Sequence, residues 1–541
     1  MSTFGDLAER IRAPMAGPQV STRRLLLLYL PSALVVLAVL LPVAYLILRA
    51  LEADARSWNV LLRTSTLRIL ANSLILTAAV TAATVLLSVT LAWLTVRTDL
   101  PGRRIWALLT ALPLVIPSYV GAYLAASALG PRGLLQGILS PLFGIDRLPS
   151  IYGFPGAFIT LTLLSFPLVM LPVRAALQRM DPALEDSARS LGQGTWGVFR
   201  KVTLPHLRPS IAAGALLVAL YSLRDFGAVS IMRFTTFTRA IYIQYESAFD
   251  RSSAALLSLV LVAITMLLLS LELRSRRDGR RYSSADNGPG KHARIQLGRW
   301  RWPALVLCAG VVTLALVLPA LVLAYWLLRA LQQGPELTGT LLAAGNSLVA
   351  SSLAAILVLA ASIPIAVLAV RLPGAWSRWS ERLAHVGFAL PGIVVALALV
   401  FFGIRASRFL YQTLPMLLLA YLILFLPLAI GSLRSSLLQV PSILEEAGRS
   451  LGRSPLEVFR RVTLPLVRPG LVAGAALVFL TAMKELQATL ILSPFGFTTL
   501  ATEVWSSVSE AFFARAAGPA LLLILVSSVP MAYFVLRDEP A

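Results

Sequence analysis

Charge, acidic side chains and thiols are all scarce in this 541-residue sequence. Only 13% of its residues are charged against 57% hydrophobic, whereas soluble domains carry roughly 25% charged residues. With a mean hydropathy of +0.80, that composition excludes a disordered chain and a soluble enzyme with one anchor. A single cysteine, Cys308, can close no internal disulfide. The histidines, His206, His292 and His385, keep no metal-ligand spacing with one another or with Cys308, so no metal site is expected. Gly288-Pro289-Gly290-Lys291-His292 misses the spacing of a phosphate loop and follows no strand, which argues against a nucleotide site. No nucleophile-base or paired-carboxylate arrangement stands out, so the chain is expected to be no enzyme and to bind no cofactor of its own. Acidic residues number 25 against 47 basic ones, a surplus of +22 that in a soluble protein would point to nucleic acid.

What is abundant is apolar sequence in membrane-length runs. A helix needs about 20 mostly apolar residues to cross a hydrocarbon core, and twelve stretches qualify. The first six are Leu25 to Leu48, Ile69 to Val96, Ile105 to Gly130, Gly153 to Val173, Pro209 to Met232 and Ala254 to Leu273. The second six are Ala304 to Leu328, Asn346 to Val370, Leu383 to Ile404, Thr413 to Leu433, Pro469 to Leu492 and Gly518 to Leu536. The expected fold is an all-α integral membrane protein of 12 transmembrane helices, with a tail at 1–24, a half at 25–273, a polar Gly/Pro-containing linker at 274–303, a second half at 304–536 and a short end at 537–541. The N-terminal run has no small-residue cleavage site and reads as a retained span. Placing both termini in the cytoplasm puts 32 of the basic residues inside and 13 outside. That bias sets the orientation, and it converts most of the net charge into topological signal, removing nucleic acid as a partner.

The two halves are copies. Leu184 to Pro209 and Leu444 to Pro469 share 15 identities over 26 positions at an offset of 260. Weaker matches pair Asn72-Ser73-Leu74 with Asn346-Ser347-Leu348, Leu100-Pro101-Gly102 with Leu372-Pro373-Gly374, and Ala111-Leu112-Pro113 with Ala389-Leu390-Pro391. An even number of spans per copy gives both the same orientation, two homologous six-helix units about an axis along the membrane normal. The closest match lies in cytoplasmic loops, 174–208 and 434–468. Asp181-Pro182 opens a short helix in the first; Ser442 with Glu445, and Ser454 with Glu457, read as capping boxes in the second. Gly192 and Gly452 are placed to end the first short helix, and Pro205 and Pro465 to stop the next. Leu184, Ala188 and Leu191 share one apolar face, with Leu444, Gly448 and Leu451 opposite them in the repeat. Such loops could dock onto a partner or pack on their own bundle.

The loops resemble the EAA loop of ABC-transporter permeases, in which E-A-A-x3-G is followed after nine residues by I-x-L-P. The second copy reads Glu446-Ala447-Gly448, Gly452 and Val462-Thr463-Leu464-Pro465; the first reads Asp186-Ser187-Ala188, Gly192 and Val202-Thr203-Leu204-Pro205. The resemblance implies that Glu185 to Gly192 with Leu204 and Pro205, and Glu445 to Gly452 with Leu464 and Pro465, couple the chain to ATP-binding subunits. Two fused units, with Arg224-Asp225-Phe226-Gly227 and Lys484-Glu485-Leu486-Gln487 at matching places, are similar to the ferric-iron permeases of the binding-protein-dependent importers. That class implies a type I permease fold in a bacterial inner membrane. It also implies two copies of an ATP-binding subunit carrying the ATP and Mg, a periplasmic binding protein, and ferric iron as cargo. Thiamine or another small solute is the alternative cargo, and an ion-coupled 6+6 secondary transporter the alternative class.

Arg224, Asp225, Lys484 and Glu485 fall inside apolar runs, where an ionisable side chain is costly unless paired or solvated. They read either as lining the translocation path or as structural ion pairs, with partners from other spans because adjacent helical residues do not face each other. On the outer side Glu246, Asp250, Glu503 and Glu510, with Tyr242, Tyr245 and Trp505, could dock a binding protein or anchor at the headgroups.

Overall fold

The computed structural model describes residues 22–246, 251–279, 295–334 and 337–537; the 1–21 part of the tail, the 280–294 part of the linker, Asp250 and the last four residues lie outside it. The described chain is helical throughout, apart from one isolated bridge between Thr98 and Ile295. Among the described residues nine helices are long and apolar enough to cross a membrane, two bent pairs pass the same test together, and Phe513–Ser528 is a shorter apolar helix. Each of the twelve expected stretches overlaps one of these helices or pairs, the last being shorter than a span in its described part.

Simple straight spans are corrected at four places. Span 3 consists of Arg103–Val115 and Ser118–Phe143 at 99°, and span 9 of Ala375–Ala389 and Gly392–Ala406 at 105°. Ile116 and Leu390 precede prolines and sit in extended backbone, ψ 120° and 122°, because the following ring excludes the helical conformation at the residue before it. The structural equivalent of Leu390-Pro391 is therefore Ile116-Pro117, and the match to Leu112-Pro113 is four residues out. Spans 5 and 11 run as Thr195–Arg224 and Pro455–Met483, then break where the sequence suggested continuous helix.

Pro205 and Pro465 do not stop a helix. Each is preceded by a wide turn, Phe199–Thr203 and Phe459–Thr463, in which the N–H of Leu204 or Leu464 reaches back five residues. A π-turn absorbs the ring and the missing donor, so the loop helix runs on into the membrane. Ser442 does not cap its helix, which begins after Pro441 without a side-chain cap; the Ser454–Glu457 box is formed, and Asp181 caps Ala183.

The halves interlock. Span 1, Leu28–Leu51, packs on the last span of its own half and on spans 8 and 9 of the other; span 7, Gly298–Gln333, packs on the last span of its half and on span 3. Trp376 Nε1 donates to Ser32 Oγ at 3.0 Å, and Trp326 Nε1 to Ser127 Oγ at 2.6 Å. The largest buried apolar cluster consequently spans both halves, including Tyr119, Phe226, Val394, Tyr421 and Leu486. Inside a half the spans approach closely: a Cβ on Gly214 would lie 2.8 Å from the Cα of Val169, the small-residue contact on which membrane helix packing depends. At its ends the linker is less free than its composition suggests. Ile295 exchanges backbone bonds with Arg97 and Asp99, and Asp99 Oδ1 accepts the N–H of Leu297.

Candidate functional site

The paired loops are built alike. Helices Pro182–Ser190 and Ser442–Ser450 each turn a glutamate inward. Glu185 Oε1 accepts Thr203 Oγ1 at 2.9 Å and lies 3.3 Å from Arg97 Nη2; Glu445 Oε1 accepts Thr463 Oγ1 at 3.0 Å and Arg371 Nε at 3.0 Å. Arg189 and Arg449 flank the other carboxylate oxygen at 3.6 and 3.8 Å. Each glutamate thus fastens its loop to the end of span 2 or 8 and to the start of span 5 or 11. Arg97 and Glu185 are almost fully buried, and removing one member of such a pair costs about 3–5 kcal/mol because a buried charge is left uncompensated.

The apolar stripe of Leu184, Ala188 and Leu191 is not one face. Ala188 is buried with Glu185, whereas Leu184 and Leu191 point outward, Leu191 at 81% exposure and Leu451 at 82%. Gly192 and Gly452 have φ of +79° and +77°, the left-handed conformation that closes a helix and favours glycine. Around them Gln193 N–H bonds Ala188 O, and Arg453 N–H bonds Gly448 O. The outcome is a rigid knob with a bare leucine on top. Ser187 and Ala447 lie within the same helices, with Asp186 bonded to Arg189 at 2.7 Å; Leu204, Pro205, Leu464 and Pro465 lie past the wide turns that join knob to span.

At the centre of the bundle the four charged residues stand on broken helices. Asp225 is extended at the end of span 5, and its carboxylate accepts the N–H groups of Ala228 and Val229, at 2.9 and 3.3 Å, and the Ser118 hydroxyl. Glu485 accepts the N–H of Ala488 at 3.0 Å. A Cβ on Gly392 would lie 2.5 Å from Glu485 Oε1, so the carboxylate rests against the N-terminus of Gly392–Ala406, where the helix dipole favours negative charge. The cations reach across instead: Arg224 Nη1 donates to the Phe388 carbonyl at 2.6 Å, and Lys484 Nζ to the Leu114 carbonyl at 3.2 Å. Both acceptors lie in the last turn before the bend of the opposite half's broken span. Gln487 completes the seam, donating to Arg224 O at 2.8 Å and accepting Ile393 N–H at 3.0 Å.

Among the described residues these four form no ion pair at contact distance; the acids cap helices of their own half while the bases tie the halves together. Irregular backbone at membrane depth is tolerated where protein satisfies it or a cavity runs past it, and here the ionisable side chains supply the satisfaction. The family of binding-protein-dependent transport system inner membrane components matches residues 85–277 and 362–537. The chain belongs to this family. A Fe(3+)-transport system permease protein of Haemophilus influenzae is 36% identical over 503 residues, covering 92% of this permease and 96% of the relative. A ferric transport system permease protein of Actinobacillus pleuropneumoniae is 24% identical over 493 residues, 86% and 70% of the two chains. A molybdenum transport system permease protein of Escherichia coli is 35% identical over 184 residues, 33% of this permease and 79% of the relative. The chain is therefore an ABC-transporter permease, and the secondary-transporter alternative is displaced.

Several residues of the site went unnoticed in the sequence. Arg97, three residues ahead of Leu100-Pro101-Gly102, and Arg371, directly ahead of Leu372-Pro373-Gly374, look like ordinary ends of spans; Gln487 stands in the Lys484-to-Gln487 match but, being uncharged, carries no role there. Asn72 and Asn346 were matched without a role: their side chains donate to Thr235 O and Thr498 O at 3.1 and 2.9 Å, while Ser73 and Ser347 accept the N–H groups of Phe237 and Leu500. They pin the segments that follow the broken spans. The outer aromatics also move: Tyr242 and Trp505 pack on buried Phe226, with ring centroids 4.9 and 5.0 Å away, so they close the seam between halves instead of anchoring at headgroups. Glu503 accepts Thr340 Oγ1 at 3.0 Å, and Glu510 ends the helix Leu500–Ser509.

Proposed function

We propose that this permease carries ferric iron, delivered by a periplasmic binding protein, across the inner membrane, with two ATP-binding subunits seated on its two knobs and both termini in the cytoplasm. ATP and Mg belong to those subunits, and the chain performs no hydrolysis itself. Ferric iron is preferred to thiamine because relatives that align along nearly the whole fused chain are ferric-iron permeases.

The observation that carries the mechanism is the buried glutamate lock. A knob that pivoted freely would dissipate the motion of a partner, whereas one bonded to Arg97 and Thr203, or to Arg371 and Thr463, drags spans 2 and 5, or 8 and 11, with it. The far ends of spans 5 and 11 are the central breaks. Drawing the two knobs together would therefore strain the Arg224–Phe388 and Lys484–Leu114 bonds, and releasing them would part the halves along the seam. Coupling travels here through a contiguous chain of bonded elements with two arrangements.

The test is uptake of radioactive ferric iron into liposomes holding the permease with its ATP-binding subunits, fed by the loaded binding protein. ATP-dependent accumulation is expected. A co-purified binding protein that retains thiamine and no iron would overturn the cargo and leave the coupling intact.

A further inference from the structure

A cavity of about 320 Å3 opens between the halves on the side away from the knobs. Asn72, which pins the segment beside it, stands 25 helical residues from Arg97, a separation of about 37 Å at 1.5 Å per residue. The first half lines it with Arg233, Arg239, Tyr152 and Ser230, and the second with Trp505 and Ser509. Among the described residues no carboxylate is in the lining and neither arginine forms an ion pair. Arg239 Nη1 donates to Thr235 Oγ1 at 2.8 Å, and the Arg233 guanidinium stands 5.4 Å over the Tyr152 ring. Burial first, and then the like charge of Arg233, holds the Arg239 guanidinium below its ordinary value. Ser230 Oγ is buried without a partner.

The repeat shows that the scaffold does not require these cations. Both halves make the same left-handed turn, at Arg233 with φ +56° and at Gly496 with φ +75°, and the backbone bonds of Asn72 and Asn346 bring Thr235 and Thr498 into register. That register pairs Arg239 with Thr502. A non-glycine residue in this conformation is strained, and strain of this kind persists where a function holds it. The first half keeps a strained arginine where its copy keeps an unstrained glycine, next to a second arginine that repels it.

We infer that this cavity is a binding site for a small oxyanion or carboxylate at the outer mouth of the seam. The planar forks of Arg233 and Arg239 suit bidentate bonding to such an anion, with the Ser230 hydroxyl as a further donor. The anion neutralises the repulsion between the two guanidinium groups. Its source is either the free anion of the outer compartment or an anion that arrives bound to the cargo. The inference concerns this cavity alone, so its failure would leave the transport reading standing.

The probe is labelled inorganic phosphate, measured by equilibrium dialysis at fixed ionic strength on the permease assembled with its ATP-binding subunits in nanodiscs. The comparison variant is Arg233→Gly with Arg239→Thr, which installs the residues the other half uses at both positions. Phosphate should bind the wild type at millimolar concentration or below and the double variant about tenfold more weakly or worse, a loss of the size expected for charge-assisted forks. Arg239→Lys should retain part of the affinity. Should the double variant fail to assemble, Arg233→Gly alone relieves the turn and gives the same reading. A second arm presents labelled phosphate on the iron-loaded binding protein; retention there alone supports the site and assigns the anion to the cargo. Equal phosphate binding by wild type and variant, or none by the wild type in both arms, overturns the inference. So does a variant that loses only its affinity for the binding protein, because the arginines would then dock an acidic protein surface.

Discussion

Superposing the two halves in register separates what the repeat has preserved from what it has changed. At the knobs the copies agree in detail: Arg97 with Arg371, Glu185 with Glu445, Thr203 with Thr463, and a left-handed glycine after each helix. At the seam they agree in plan and differ in chemistry. Arg224 faces the Phe388 carbonyl where Lys484 faces that of Leu114, and Ser118 meets Asp225 where Gly392 makes room for Glu485. At the outer mouth they part altogether, with Arg233 against Gly496 and a fully exposed Phe495 beside it. On the proposed reading, symmetry is kept where ATP-binding subunits would press and lost where cargo and binding protein would be met.

The largest effects should come from the locks, and they should be equal in the two halves. Glu185→Ala leaves the buried Arg97 guanidinium uncompensated, worth about 3–5 kcal/mol; Glu445→Ala unfastens Arg371, which is partly exposed and keeps its bond to Val440 O, and in both uptake should fall to background while the chain still reaches the membrane. The apolar exchange Arg371→Met with Glu445→Leu should recover the folded amount, since buried pairs replaced together are often neutral. Uptake is measured against ATP hydrolysis in the same liposomes. Full uptake by either single variant would break the equivalence of the knobs. Substituting Gly192 or Gly452 by valine should uncouple as well, through about 1–2 kcal/mol of backbone strain.

Next come the ties across the seam, where the halves should differ. Arg224→Met removes a 2.6 Å bond and Lys484→Met a 3.2 Å one, so ATP hydrolysis should rise and uptake fall several-fold in both, more in the first. Bonds from charged donors contribute about 1.5–3 kcal/mol. An unchanged ratio of hydrolysis to uptake in both variants would remove these residues from the path. Gly392→Ala should be the sharper asymmetric test: its Cβ would meet Glu485 at 2.5 Å, an overpacking cost of about 1–3 kcal/mol, whereas Ser118→Ala loses one hydroxyl. Comparable melting shifts in the two variants would show that the carboxylates sit in equivalent environments after all.

Much of this was legible in the sequence because two signals survive without tertiary information: the apolar length of a span and the repetition of a loop. Span count, the knob glycines and the pairing of Arg224-Asp225 with Lys484-Glu485 came from those. The breaks did not, since Ile116-Pro117 and Leu390-Pro391 look like tolerated prolines until their carbonyls are seen to accept nothing helical. The three-letter match of Ala111-Leu112-Pro113 to Ala389-Leu390-Pro391 is also four residues out of the structural register. The inward turn of Glu185 and Glu445 was hidden because a glutamate beside an EAA-type motif looks like a contact residue; only the buried arginine from span 2 or 8 shows that it faces its own bundle. Arg233 and Arg239 raised no flag because what marks them is a backbone angle and a missing counter-charge, and neither is written in one sequence.

The smallest effect should come from cutting the chain between its halves. The first half differs from the second in one further way: Thr98 and Asp99, past the end of span 2, hold Ile295 and Leu297 of the linker. A cut between Asp286 and Asn287 lies upstream of Ile295, so the clasp then joins the two fragments. Span 1 is packed on spans 8 and 9 and span 7 on span 3, so neither half can bury its apolar faces without the other, and co-expressed fragments should associate and import within about twofold of the intact chain, as exposed polar segments usually tolerate a nick. Asp99→Ala in the cut protein then isolates the clasp. If the halves assemble and the knobs are equivalent, uptake should be indifferent to it; a loss confined to the cut, clasp-free protein would show that the linker positions the first knob, an asymmetry that the matched locks otherwise conceal.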